Sequence, residues 1–283
     1  MQFGASYVLD KLQIADLVTA KKIGFNFVEF YIGDFWNDMK ELELQLIAVR
    51  EILDSYDLFS IIHLSHLNSQ LIKDSEHWTS YIDNLSEQIN LIGQLGITNK
   101  IVFHGTFGKT ENPSGIASDE IFNKKIDAIT EWTNIAQQYK VKMLLENTDE
   151  SVADLKIVFK KLPNLGFTFD LGHANIIFPH LKIKNPEENI YEMLKGFKNQ
   201  LEHIHIHDNF GGNSESYDKH LPIGTGSINF QKFFSYLKEI KYSESITLEI
   251  YNPTFLSIYL EASYKTIQEI LQQNYDQTKF SYI

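Results

Sequence analysis

Histidine and carboxylate side chains recur in this chain where an apolar run gives way to polar sequence. They stand at His63, His104, Glu146, Asp170 with His173 three residues on, His205 with His207 and Asp208, and Glu249, with Asp218 and His220 between the last two groups. Imidazole and carboxylate without thiolate is the ligand chemistry of a borderline or hard divalent cation, zinc, manganese, cobalt or iron(II), and not of copper(I). The chain contains no Cys, which excludes disulfide frameworks, thiolate zinc sites, iron–sulfur clusters and cysteine nucleophiles. Crowded carboxylates repel one another and rise in pKa unless a cation neutralises them. Nine of these residues, His63, His104, Glu146, Asp170, His173, His205, Asp218, His220 and Glu249, exceed the roughly four to six positions around one ion. Either two or three ions bind, or some of the nine hold substrate.

The elements that must position them follow from the hydrophobic pattern. Short apolar runs alternate with longer helical patterns from end to end. Phe3–Tyr7 precedes a helix over Leu9–Lys22, Phe25–Ile32 one over Asn37–Ser55, Leu58–Leu64 one over Ser75–Leu95, and Lys100–His104 one over Ser118–Tyr139. Val141–Glu146 precedes Ser151–Lys161, Leu165–Asp170 precedes Pro186–Asn199, Leu201–His207 precedes Phe230–Lys238, and Ser245–Ile250 precedes Thr254–Gln273. Eight strand–helix units with no Pro/Gly-rich linker predict an α/β fold, a (β/α)8 TIM barrel in which residues 1–283 form a single domain. No Gly-x-Gly-x-x-Gly follows the first strand, which argues against a dinucleotide-binding sheet. In such a barrel the strand ends converge on one mouth, so six consecutive strands deliver imidazole or carboxylate to the same rim.

Composition narrows the partners. Twenty-five basic against 37 acidic residues give a net charge of −12, and Arg50 is the only arginine. A surface of this sign, nearly without guanidinium clamps, argues against nucleic acid and anionic membranes. The start, Met1-Gln2-Phe3-Gly4-Ala5-Ser6, lacks a signal peptide's basic flank and apolar run, and no stretch reaches the ~18 apolar residues of a membrane span. The expectation is a cytoplasmic protein. Barrels of this kind commonly pair through their outer helices, so a homo-oligomer is compatible, though no segment marks the face.

The strand ends resemble those of the xylose isomerase-like barrel superfamily, which includes sugar isomerases, ketose epimerases and endonuclease IV. The motifs that carry the resemblance are Leu144-Leu145-Glu146-Asn147-Thr148, Asp170-Leu171-Gly172-His173-Ala174, His205-Ile206-His207-Asp208-Asn209, Asp218-Lys219-His220-Leu221-Pro222-Ile223-Gly224-Thr225-Gly226 and Leu248-Glu249-Ile250. By that resemblance Glu146, Asp170, His205 and Glu249 match the single-metal set of the epimerases. His63, His104, His173, Asp218 and His220 match the further positions that complete a three-zinc site in endonuclease IV. The DNA-specific signatures are weak here: His66 stands where an aromatic residue is expected, and Leu171-Gly172 falls within a fuller run.

Two mechanisms follow from the resemblance. In an isomerase or epimerase of a sugar or sugar phosphate, one divalent ion polarises a carbonyl and its neighbouring hydroxyl, while Glu146 and Glu249 remove and return a proton. His173, His207 and Lys219, with backbone amides of Gly224–Gly226, are candidates to hold hydroxyls or a phosphate. The same Gly-rich stretch also reads as a simple tight turn. Trp36, with Phe35, and Phe107 stand where a sugar ring could pack. In a phosphoester hydrolase, two or three zinc ions activate water, and Glu146 and Asp170 are ligands only. His66, His77, His180 and His203 have no strand-end logic and read as surface or satisfied polar groups.

Overall fold

A computed structural model describes residues 1–33, 36, 38–67, 71, 74–107, 118–180, 186–212, 218–252 and 254–280. Eight strands close into one parallel barrel in sequence order: β1 Gln2–Val8, β2 Phe27–Tyr31, β3 Phe59–His63, β4 Thr98–His104, β5 Lys142–Glu146, β6 Gly166–Asp170, β7 Leu201–Ile206 and β8 Ser245–Leu248. Closure is made by β8 against β1, from Gln2 opposite Ser245 to Ala5 opposite Leu248. The expected (β/α)8 architecture is the observed one. Among the described residues no helix is long and apolar enough to cross a membrane.

The helices are α1 Ile14–Ile23, α2 Met39–Tyr56, α3 Ser75–Leu95, α4 Ser118–Gln138, α5 Val152–Lys161, α6 Leu171–His180, α7 Pro186–Gly196, α8 Phe230–Glu239 and α9 Leu256–Phe280. Their starts are capped as the local sequence requires. Asp38 accepts from Lys40 N at 2.9 Å, and Asn229 from Lys232 N at 3.0 Å. Three expectations shift. The helix predicted over Leu9–Lys22 is a short 3-10 turn at Leu9–Lys11 followed by α1, because the Asp16 carboxylate accepts from Gln13 N at 2.9 Å and sets the start there. Helix α6, where a connection was expected, begins directly after β6. The second helix was expected from Asn37, which lies outside the described residues, as does Phe35.

Alternation along the strands explains the interior. Phe27, Ile61, Val102 and Leu144 are fully buried and form a small apolar plug within the barrel, apart from the large core between strands and helices. One alternation further on, the same strands carry Glu29, His63, His104 and Glu146. The barrel axis is thus apolar at one end and polar at the other. Gly4 makes the plug possible: a Cβ there would lie 2.6 Å from two Phe27 ring carbons and from the Phe27 carbonyl oxygen. We expect Gly4→Ala to cost about 1–3 kcal/mol by forcing this contact apart. Urea unfolding checks this, and an unchanged midpoint would contradict the packing argument.

Candidate metal centre at the barrel mouth

His63, His104, Glu146 and Asp170 are the last residues of β3, β4, β5 and β6, and His205 lies one residue before the end of β7. Glu249 follows β8 immediately. The barrel brings all of these side chains together. Glu146 Oε2 lies 3.0 Å from His63 Nε2 and 3.2 Å from both His104 Nε2 and His205 Nδ1, while Glu146 Oε1 lies 3.2 Å from His173 Nδ1. His205 Nδ1 is also 3.3 Å from Glu249 Oε1 and 3.9 Å from Asp170 Oδ2.

Asp170 serves two purposes. Its Oδ1 accepts from His173 N at 2.6 Å, capping α6 and explaining why that helix starts at once. Its Oδ2 faces the cluster. Asn147 clamps the end of β6 in both directions: its side-chain oxygen accepts from Asp170 N at 2.8 Å, and its amide donates to Asp170 O at 2.9 Å.

The loop after β7 brings Asp218 and His220 to the same mouth. Asp208 and Leu221 exchange backbone hydrogen bonds at 2.9 and 2.8 Å. The Asp208 carboxylate accepts from Gly224 N at 3.0 Å, Gly226 N at 2.8 Å and Ile228 N at 3.2 Å. This corrects one expectation: those amides are already turned onto an internal carboxylate, so the Gly-rich loop is a structural turn and no phosphate cradle. His220 then sits at a positive φ of 44°, its Nδ1 donating to Glu249 O at 2.7 Å and its Nε2 lying 3.3 Å from Asp218 Oδ2.

The donor set can be tested for a cation through its unpaired atoms. Among the described residues, Glu146 Oε1, Asp170 Oδ2, His205 Nδ1, both ring nitrogens of His207 and Asp218 Oδ1 are buried without a hydrogen-bond partner. Such orphans are costly in a protein interior unless something unseen completes them. Ligand atoms within 4.8 Å of one another form four overlapping groups: Glu146, Asp170, His205 and Glu249; His63, His104 and Glu146; His173, His207, Asp218 and His220; and Glu29, His63, His205 and Glu249. Three imidazoles are also pre-set. His63, His173 and His220 each donate Nδ1–H to a backbone carbonyl (Leu64, Asn147 and Glu249, at 2.7–2.9 Å), which turns Nε2 toward the carboxylates of the cluster. The residues fit divalent cations.

Electrostatics agree. Burial works to raise the Glu146 pKa, but His205 and His104 overcome it and hold the carboxyl well below its usual range. Burial likewise opposes charge on His205, yet Glu249, Glu29 and Glu146 raise it well above the ordinary imidazole value. Burial drives His203 down to about 4, so that ring is neutral. Protons on imidazoles here balance charge that a cation would balance when bound, so cation uptake releases protons.

Other sequence candidates are placed differently. A cavity of about 780 Å³ opens above the cluster, floored by His63, His104, His173, Asp218, His220 and Glu249 and walled by Tyr7, Tyr31 and Tyr251. Glu146, Asp170 and His205 are buried beneath that floor. His207, expected to touch substrate, is fully buried and stacked on His220 at 3.9 Å, in space left by Gly172, where a Cβ would lie 2.0 Å from the ring. Trp36 is buried, donates Nε1–H to Ile32 O at 2.7 Å and does not line the cavity. Phe107 packs against Phe122 at 5.4 Å, and Lys219 is exposed; neither lines the cavity. His77 is exposed and pairs with Asp74 at 2.6 Å, and His66 is half-buried. The His180 side chain lies outside the described residues.

Sequence reasoning missed three buried charged groups. Glu29, inside β2, accepts from His203, His205 and Thr247. Glu150 accepts from Phe107 N at 2.8 Å and Thr148 N at 2.7 Å, tying the loop after β5 to the loop after β4. Lys125 donates to Gly105 O and Thr106 O at 2.9 and 2.7 Å from α4, holding the segment that follows His104. An acidic residue within an apolar strand was the available signal for Glu29. Nothing in the local pattern marks the other two.

Two outcomes follow. Asp208→Ala leaves the amides of Gly224, Gly226 and Ile228 without their acceptor, so we expect a loss of about 2 kcal/mol and faster amide hydrogen exchange confined to this loop. Unchanged exchange would contradict the anchoring role. Burial and Asp149 raise the Glu150 pKa from 4.5 to about 7. The folded state therefore keeps a proton that the unfolded state loses, so this residue's contribution to stability falls as pH rises from about 4.5 to about 7, by up to about 3 kcal/mol. Glu150→Gln should flatten that part of the profile in urea unfolding, and an unaltered slope would contradict it.

Comparison with known proteins places this geometry. Residues 17–274 match the family described as xylose isomerase-like TIM barrel. An inosose isomerase of Bacillus subtilis is 25% identical over 163 residues, 54% of this chain and 56% of the relative. The chain spans about half the length of the curated relatives it matches. The crystal structure of a D-tagatose 3-epimerase-like protein superposes with a TM-score of 0.73 at 25% identity, covering 100% of both chains. That of an IolI protein with a bound zinc atom shares the fold, with a TM-score of 0.70, 19% identity and 96% of each chain covered. With the family match running through nearly the whole barrel, this chain belongs to the xylose isomerase-like TIM-barrel family.

Proposed function

We propose that this protein is a divalent-metal-dependent isomerase or epimerase of a sugar or sugar phosphate. The observation that carries the reading is the convergence of Glu146, Asp170 and His205, each with a buried, unpaired donor atom, on Glu249, which lines the cavity above them. The relatives reported above, an inosose isomerase and a D-tagatose 3-epimerase-like protein, support the substrate class. The zinc-bound IolI structure supports a divalent ion, of which manganese, zinc, cobalt and iron(II) all suit the donors.

A cation held by these four residues supplies Lewis-acid polarisation of a carbonyl and its neighbouring hydroxyl. The chain's own groups supply the rest. Of the four residues that would hold the cation, Glu249 is the carboxylate that lines the cavity, so it removes the proton from the carbon beside the carbonyl. Glu146, expected to return the proton, lies buried beneath the cavity floor, where it approaches His205 Nδ1 at 3.2 Å beside Glu249 at 3.3 Å, and serves as a ligand. His63, His104 and His173 surround Glu146 and hold it in place. The tyrosine walls narrow the cavity above the reacting carbons.

Phosphoester hydrolysis was the alternative expected from nine candidate ligands at one mouth, but the named relatives, an inosose isomerase and a D-tagatose 3-epimerase-like protein, lend it no support. The two readings part in heavy water. With ketoses or their phosphates and added divalent metal, the isomerase reading expects deuterium at the carbon beside the carbonyl, detected by mass spectrometry. Glu249→Gln should lower that rate by about 10²–10⁴-fold. Replacing His63 and His104 together by Ala should leave an isomerase its single ion, whereas a multi-zinc hydrolase should lose at least one ion per chain. Phosphodiester cleavage without deuterium uptake would overturn the proposal.

A further inference from the structure

Glu29 is a carboxylate in the middle of the apolar strand β2, fully buried and two residues before the strand's end at Tyr31. Its oxygens face one hydroxyl and two imidazoles. Oε1 lies 2.9 Å from His205 Nε2, and Oε2 lies 3.1 Å from the same nitrogen, 3.0 Å from His203 Nε2 and 2.5 Å from Thr247 Oγ1. His203 is completed on its other side, where Nδ1 accepts from Ser245 Oγ at 2.6 Å. Strands β7 and β8 thus reach across the barrel to one carboxylate on β2.

Because a carboxylate only accepts, each imidazole must present Nε2–H to it. For His205 this decides the tautomer and the ring orientation together. Nδ1 is the nitrogen turned to the site, buried 3.2 Å from Glu146 Oε2 and 3.3 Å from Glu249 Oε1, where a bound cation would take the place of a proton. His63, His173 and His220 are set the opposite way round, with Nδ1–H on a carbonyl and Nε2 toward the site. His205 differs from these in being tied to a formal negative charge, which makes its free nitrogen the more basic donor.

We infer that Glu29 is a positioning residue for the candidate metal centre: through His205 Nε2–H it fixes the ring so that Nδ1 is delivered to the cation, and it strengthens that bond. The inference rests on the reading of His205 as a metal ligand. Glu29 does not itself touch substrate or line the cavity. Its Oε2 is occupied by His203, His205 and Thr247, and its Oε1 accepts from His205.

The test uses the full-length chain stripped of metal and titrated with Mn²⁺ or Zn²⁺ alone, reading dissociation constant and stoichiometry by competition with a chromogenic chelator. Thermal unfolding of the metal-free protein runs in parallel. Glu29→Gln keeps the shape and an acceptor for His205 but removes the charge. We expect it to weaken the ion bound through His205 by about 10–100-fold with unchanged stoichiometry. A lowered unfolding temperature with unaltered metal affinity would show a purely structural role and overturn the inference. Loss of one whole equivalent of metal would overturn it in favour of direct coordination.

If Glu29→Gln does not fold, Thr247→Val gives the same readout, because it removes one hydrogen bond to Glu29 without altering charge. A several-fold loss of affinity is expected, and an unchanged affinity overturns the inference. His205→Asn separates this from the site assignment. If it binds metal as the wild type does, the proposed metal centre fails. If it loses the ion while Glu29→Gln binds normally, only the role of Glu29 fails.

Discussion

Negative charge packed into the mouth of a closed barrel is the constraint that everything else here answers to. Glu29, Glu146 and Asp170 are fully buried, and Asp218 and Glu249 stand above them, partly exposed to the cavity. Each ionised group taken from water costs several kcal/mol, and neighbouring carboxylates add repulsion. The interior answers with imidazoles: His63, His104, His173, His203, His205 and His220 each lie within 3.3 Å of a carboxylate oxygen. Even so, several donor atoms stay unpaired. Divalent cations resolve this balance most economically, since each supplies two charges and completes several lone pairs at once.

The fold distributes the burden so that rigid elements carry the centre. Strand ends place His63, His104, Glu146 and Asp170, and Asp170 also starts α6. After β7, the amides of Gly224, Gly226 and Ile228 are tied to the Asp208 carboxylate. Glu150 holds Phe107 N and Thr148 N, and Lys125 holds Gly105 O, next to the ends of β4 and β5. Each of these buried groups spends its hydrogen bonds on backbone, which orders the mouth while leaving the imidazoles and carboxylates of the centre free to face one another.

How much of this could be read beforehand depends on where each residue sits. His63, His104, Glu146 and Asp170 were legible because polar residues ending apolar runs are conspicuous, and parallel barrel topology puts such ends on one face. Glu29 was not legible: in Phe27-Val28-Glu29-Phe30 it interrupts an apolar run without ending it, and its value comes from His203, His205 and Thr247, contributed by strands far along the chain. The Gly-rich loop was ambiguous because an amide nest accepts any anion, and only the three-dimensional arrangement shows that Asp208 fills it. Trp36 and Phe107 were misplaced since aromatic identity says nothing about which way a side chain packs. Helix α6 escaped notice because its capping residue is also a candidate ligand.

Locating the ion tests the central claim most directly. Crystals grown with Mn²⁺ or Zn²⁺ and measured at the corresponding absorption edge would show where it binds by anomalous scattering. The account predicts a peak bounded by Glu146, Asp170, His205 and Glu249, with His205 bound through Nδ1. A peak bound through His205 Nε2, or no peak among these four residues at saturating metal, would contradict it.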